Sequence, residues 1–146
     1  EPYRRQRQMC IRDRYSFPGS PTVFYGDEAG VQGFEDPLNR GTYPWGREDP
    51  ALLAYFRQLG ALRKQRVSLQ HGDIGYLYAV GGGLVLRRQS EDEVTVAAMN
   101  AGMQPLELSI PWSGALAKDA LTGQQFFARN GMLRLTLPPV GGVLLV

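Results

Sequence analysis

After His71, apolar and polar residues alternate along the chain. Tyr76 and Tyr78, Leu84 and Leu86, Val94 and Val96, Leu106-Leu108-Ile110 and Leu133-Leu135-Leu137 take every second position, with Glu107, Ser109, Arg134 and Thr136 among the polar residues between them. A period of two puts one side of a strand on a core and the other in water. About six to eight short strands are predicted, closing as an antiparallel β-sandwich. Gly81-Gly82-Gly83, Glu91-Asp92, Ala101-Gly102, Leu121-Thr122-Gly123 and Asn130-Gly131 punctuate them. Asn130-Gly131 is a two-residue hairpin signal, and the triple glycine is a turn, since no helix follows to make it a phosphate cradle. Trp112, Phe126 and Phe127 fit alternating core positions better than an exposed glycan-binding platform.

Upstream the period is helical. Leu52, Phe56, Leu59 and then Leu62 or Arg63 recur three and four residues apart, behind an Asp49 N-cap and a Pro50 at the first helical position. A helix over Pro50 to Gln65 is predicted. Arg63, Lys64 and Arg66 stand near its C-terminal end, where cations meet the negative end of the helix dipole. His71, just beyond, reads as an ordinary interdomain polar residue.

Before that helix, Pro18, Gly19 and Pro21 form a turn and Thr22-Val23-Phe24-Tyr25 reads as a short buried strand closed by Gly26-Asp27-Glu28. The stretch from Ala29 to Glu48 is a long loop without evident secondary structure, of a length usually reserved for function. Its aromatics Phe34, Tyr43 and Trp45 favour an ordered loop. Residues 1 to 14 form a basic arm with neither helical nor strand periodicity, resembling translated adapter read-through and expected to be foreign to the rest or disordered; a solvated natural arm is the alternative.

Charge and composition narrow the chemistry. Of the net +2 over 146 residues, the first fifteen carry five arginines against two acids, which leaves the remainder one net negative charge. The body is not basic, so no nucleic-acid partner is expected. No apolar run approaches the roughly 20 residues of a membrane span, so no membrane partner is expected either, and a cytoplasmic location is the reading. One cysteine, Cys10, and one histidine, His71, exclude an internal disulfide and a zinc site of several nitrogen or sulfur ligands; no metal or cofactor is expected.

A strand, long loop and amphipathic helix followed by a sandwich resemble the last βα unit of a (β/α)8 barrel with an appended domain. The fold class expected is thus an α+β fragment, with the terminal barrel unit over residues 15–70 and the sandwich over 71–146. The residues sharpen this: Gly19-Ser20-Pro21-Thr22-Val23-Phe24-Tyr25-Gly26-Asp27-Glu28-Ala29-Gly30, then Asp36-Pro37-Leu38-Asn39-Arg40, resemble the eighth-strand region of the alpha-amylase family (glycoside hydrolase family 13), in particular its neopullulanase, cyclomaltodextrinase and maltogenic amylase group. Phe24 stands for the usual Tyr and Gly41 for a frequent second Arg. The match is strong over Phe17 to Arg66; the sandwich matches in position and strand pattern.

The resemblance implies a retaining α-glucan hydrolase or transglycosylase, an α-glucan oligosaccharide substrate and a homodimeric parent. Retention needs two carboxyls about 5–5.5 Å apart, and in the family these lie on strands upstream of this chain, so no residue here is expected to be catalytic and the fragment alone should be inactive. Asp36 and Arg40 match the Asp and Arg that bind glucose units on the non-reducing side of the scissile bond; the alternative is a surface ion pair at i, i+4. Trp45 or Tyr43 could stack on a sugar or anchor the loop. Tyr25, Gly26 and Glu28 are expected to be structural near the active site, Glu28 as a buried carboxylate paired with an arginine of the barrel and Asp27 as a turn or packing residue. The rival readings are a non-catalytic carbohydrate-binding sandwich and a purely structural domain.

Overall fold

The computed structural model describes residues 2–33 and 35–146. Helix α1 spans Pro2–Ser16, α2 Pro50–Gln65 and α3 Val67–His71. Eight strands follow: β1 Asp73–Val80, β2 Gly83–Gln89, β3 Val94–Asn100, β4 Leu106–Pro111, β5 Leu116–Lys118, β6 Gln125–Arg129, β7 Met132–Leu137 and β8 Gly141–Leu145. They form two four-stranded sheets of order β1-β2-β3-β8 and β4-β7-β6-β5, with every pairing antiparallel.

The sheets face each other across a core of Val85, Val96, Ala98, Val143 and Leu145 from the first and Leu108, Ile110, Ala117, Leu133, Leu135 and Leu137 from the second. The other side of the first sheet is also dry. Leu86, Ala97, Met99 and Leu144 pack there against Leu52, Tyr55, Phe56 and Leu59 of α2 and Met9 and Ile11 of α1. The molecule therefore has three layers, helices on sheet on sheet. A sheet covered twice needs apolar residues on both faces, and β3 is accordingly buried at six consecutive residues from Thr95 to Asn100.

Helix α2 begins and ends where its pattern predicts, and the Asp49 carboxylate caps it by accepting from the N–H groups of Ala51 and Leu52, both at 3.0 Å. The Asn130-Gly131 turn is a two-residue hairpin loop, with φ of 53° and 73°, between paired Arg129 and Met132.

Four expectations are corrected. Thr22–Tyr25 is not a strand: it has extended or turn geometry with Val23, Phe24 and Tyr25 exposed, because a strand exists only where a neighbour takes its hydrogen bonds. The basic arm is helical, and its helix crosses residue 14 without a break; Arg, Gln and Met are good helix formers, while Met9 and Ile11, two residues apart, make a stripe too narrow for a periodicity test. Tyr76 and Tyr78 do not share a row, since a register shift lies between them and Tyr76 is exposed. Phe127 is 71% exposed whereas its neighbour Phe126 packs on the sandwich core; consecutive strand residues face opposite ways, so only one could point inward.

Two buried arginines join the layers. Arg63 of α2 donates to the carbonyls of Tyr15 at 2.7 Å, Phe17 at 3.2 Å and Gly19. Arg88 of β2 donates to Ser16 at 2.9 Å and twice to Gly72. Arg63 thus faces inward, as the stripe position offered to Leu62 or Arg63 allows, while still standing in the last turn of the helix.

Candidate functional site

The candidate site is a loop whose two stems meet. Gly26, in a left-handed conformation at φ 81°, turns the chain so closely that a Cβ there would lie 2.7 Å from the Val31 side chain. A 3-10 turn over Asp27–Ala29 follows, and Ala29 is buried against α2. The Asp49 N–H then donates to the Ala29 carbonyl at 3.0 Å, closing the loop beside the start of α2. A second 3-10 turn spans Leu38–Arg40; these two turns are the secondary structure that the composition did not show. Phe34 lies outside the described residues.

Within this frame Asp36 and Arg40 come together. Arg40 donates from Nε to Oδ1 at 2.7 Å and from Nη2 to Oδ2 at 2.6 Å, a fork-to-fork pair held by the 3-10 turn. Both side chains are more than half exposed, at 57% for Asp36 and 74% for Arg40. The exposed i, i+4 ion pair is thus present, and its outer edge is open to solvent.

A string of aromatic rings runs along the same loop. Tyr25 packs edge-on to Tyr43 at 6.3 Å, and Tyr43 lies 4.6 Å from Trp45, centroid to centroid. Trp45 is 81% exposed, so its outer face is free. Burial, then the Glu28 and Glu48 carboxylates, raise the Tyr43 phenol above its usual pKa. Glu28 is half-buried beside this string, with no hydrogen bond or ion pair from its side chain among the described residues. Among those residues no hydrogen bond or ring contact joins the Asp36–Arg40 pair to the aromatic string.

Asp27 and Glu28 lie on a 3-10 turn, and Asp27 is tied to Arg14 at 3.0 Å. His71 is exposed at the end of α3. Among the described residues no group of three or more His, Cys, Asp or Glu is placed to hold a metal ion, and no helix is long and apolar enough to cross a membrane. What this surface offers is polar recognition, a planar guanidinium and a carboxylate set for neighbouring hydroxyls, and an exposed indole for an apolar ring face.

Sequence reasoning placed Arg63 on the helix stripe but missed that it and Arg88 hold the segment leading into the loop. Arg88 gave one signal, its place on the Leu84-Leu86 row of β2.

No family model matches the chain. A cyclomaltodextrinase from Geobacillus thermopakistaniensis is 34% identical over 146 residues, covering 96% of this chain and 25% of its own length. An amylopullulanase from Thermoanaerobacterium saccharolyticum is 30% identical over 147 residues, covering 89% of this chain and 12% of its own length. Among solved structures, an Anoxybacillus alpha-amylase superposes with a TM-score of 0.90 at 27% identity, over 97% of this chain and 32% of that one. The chain thus spans between 12% and 32% of the length of these three proteins.

Proposed function

From kinship with amylopullulanases, cyclomaltodextrinases and alpha-amylases, glycoside hydrolases of the alpha-amylase family, we propose that this chain is the C-terminal part of a retaining α-glucan hydrolase or transglycosylase. Its share is a substrate-subsite loop, the last βα unit of the barrel and the C-terminal sandwich. The catalytic carboxylates come from upstream strands.

The observation that carries this reading is the solvent-open Asp36–Arg40 pair on a loop closed at its stems. In a subsite the pair exchanges part of its mutual bonding for bonds to vicinal hydroxyls, with Arg40 donating and Asp36 accepting. Because both groups are already oriented by one turn, little side-chain freedom is lost on binding. Trp45 supplies an exposed ring for the apolar face of a glucose unit. The exposed Val23-Phe24-Tyr25 stretch supports the barrel-unit reading, since those residues would be covered once neighbouring strands pair with it. Glu28, half-buried and without a side-chain bond, fits an acid whose arginine lies on one of those strands.

In the parent enzyme Arg40→Ala should raise the KM for maltooligosaccharides about tenfold, a loss of roughly 1.4 kcal/mol of binding. The 146-residue chain alone should release no reducing ends from maltoheptaose; turnover by the isolated chain would falsify the division of labour.

A further inference from the structure

A second cleft lies at one end of the sandwich, far along the chain from the loop. Its volume of about 690 Å³ falls within the roughly 300–1,000 Å³ of small-ligand clefts. It opens where the inner face of the first sheet outruns the second. On β2 the inward row runs Val85, Arg87, Gln89: Val85 is fully buried between the sheets, while Arg87 and Gln89, two and four residues on, are exposed. Their partners across the ladder are Val96 and Val94, which form an apolar floor. A core-facing row that turns from apolar to polar breaks the pattern that builds a sandwich, and such breaks are where function is sought.

The opposite wall is Trp112 with Leu116. The indole Nε1–H donates to the Leu116 carbonyl at 3.1 Å and the Trp112 backbone N–H to the Gly131 carbonyl at 2.9 Å, which fixes the ring. Gly114 lies so near that a Cβ would stand 3.3 Å from Nε1. At the rim, Arg87 and Asp92 are exposed, and neither side chain has a hydrogen bond or ion pair among the described residues.

We propose that this cleft is a second carbohydrate-binding site, taking a neutral glucose ring or short α-glucan segment against Trp112, with Arg87 donating to and Asp92 accepting from its hydroxyls. One cation and one anion at the rim cancel, which suits an uncharged polyhydroxylated ligand better than an anion or a cation. A pre-oriented aromatic wall suits the apolar face of a sugar ring. The choice of an α-glucan among neutral sugars rests on the proposed function; the site itself does not.

The test uses the full chain with Trp45→Phe, so that Trp112 alone reports, titrated with maltoheptaose and followed by tryptophan emission and the indole Nε1–H resonance. Saturable, millimolar binding is expected, weakened about fivefold or more, about 1 kcal/mol, by Arg87→Ala and by Asp92→Ala. Both lie at the surface, which keeps the comparison free of folding defects. Asp36→Ala should leave the Trp112 response unchanged. No response at Trp112, or one that Arg87→Ala and Asp92→Ala leave intact, would overturn the second site while leaving the loop subsite standing; a response abolished by Asp36→Ala would move the binding to the loop and overturn it equally.

Discussion

Glu93 sits where donors from two elements converge. Its Oε1 accepts from the Ser68 N–H at 2.7 Å and the Ser68 hydroxyl at 2.6 Å, and Arg66 stands 3.7 Å away. Burial pushes the carboxyl up, but the two Ser68 bonds and the Arg66 charge outweigh it and leave the group below the ordinary value of 4.5. A folded pKa below the unfolded one means stability that is present above about pH 4.5 and lost as pH falls through the lower, folded value. Glu93→Gln should therefore cost about 1–2 kcal/mol at pH 7 and progressively less as the pH is lowered below 4.5 and through the folded value, read as the difference in urea midpoint between variant and parent at each pH. None of this could be read from the residues around Glu93, because the partner serine is 25 positions away and belongs to the short helix after α2. The Asp36–Arg40 ion pair, named as the alternative to sugar binding, was legible for the opposite reason: four residues apart, the two meet through one local turn.

Elements were legible where their signals are local. The Asp-Pro cap and 3.6-residue stripe placed α2 from Pro50 to Gln65, and Asn130-Gly131 placed the β6–β7 turn. The Thr22–Tyr25 strand failed because β-propensity states a preference and only a neighbour can satisfy it. Strand β8 shows what two-sided burial demands. Leu144 faces the helices and Leu145 the sandwich core, with 1% and 0% exposure. Leu144→Ala and Leu145→Ala should each cost about 2–5 kcal/mol, whereas Thr136→Ala on the wet face of the second sheet should stay within about 0.5 kcal/mol. Thermal or chemical denaturation of the three variants decides it; a mild Leu144→Ala would mean that the helical layer adds little to the first sheet.

At the scale of the molecule, the sandwich and the helical layer are stitched by Arg63 and Arg88, both bonded to main-chain carbonyls and to no acid among the described residues. Burial lowers both guanidinium pKa values, and the mutual repulsion of the two adds to this for Arg88. Arg88→Met keeps the apolar stem and removes the bonds to Ser16 and Gly72. It should cost about 3 kcal/mol and raise amide exchange at least tenfold in α2 and residues 15–19, while strands β4 to β7 keep their protection. Equal loss of protection everywhere would show that the layers open only together. The two-layer sandwich was legible from alternation alone; the third layer was not, since it depends on which strands are covered twice, and sequence period is silent on that.

The bond from the Asp49 N–H to the Ala29 carbonyl brings the first and last residues of the loop to a single point on the rigid end of α2. A segment anchored in this way tolerates changes of length: lengthening it adds only a slowly growing closure entropy. The part of the loop beyond Val31, whose side chain packs on Gly26, is accordingly expected to accept changes of length at little cost to the rest of the fold.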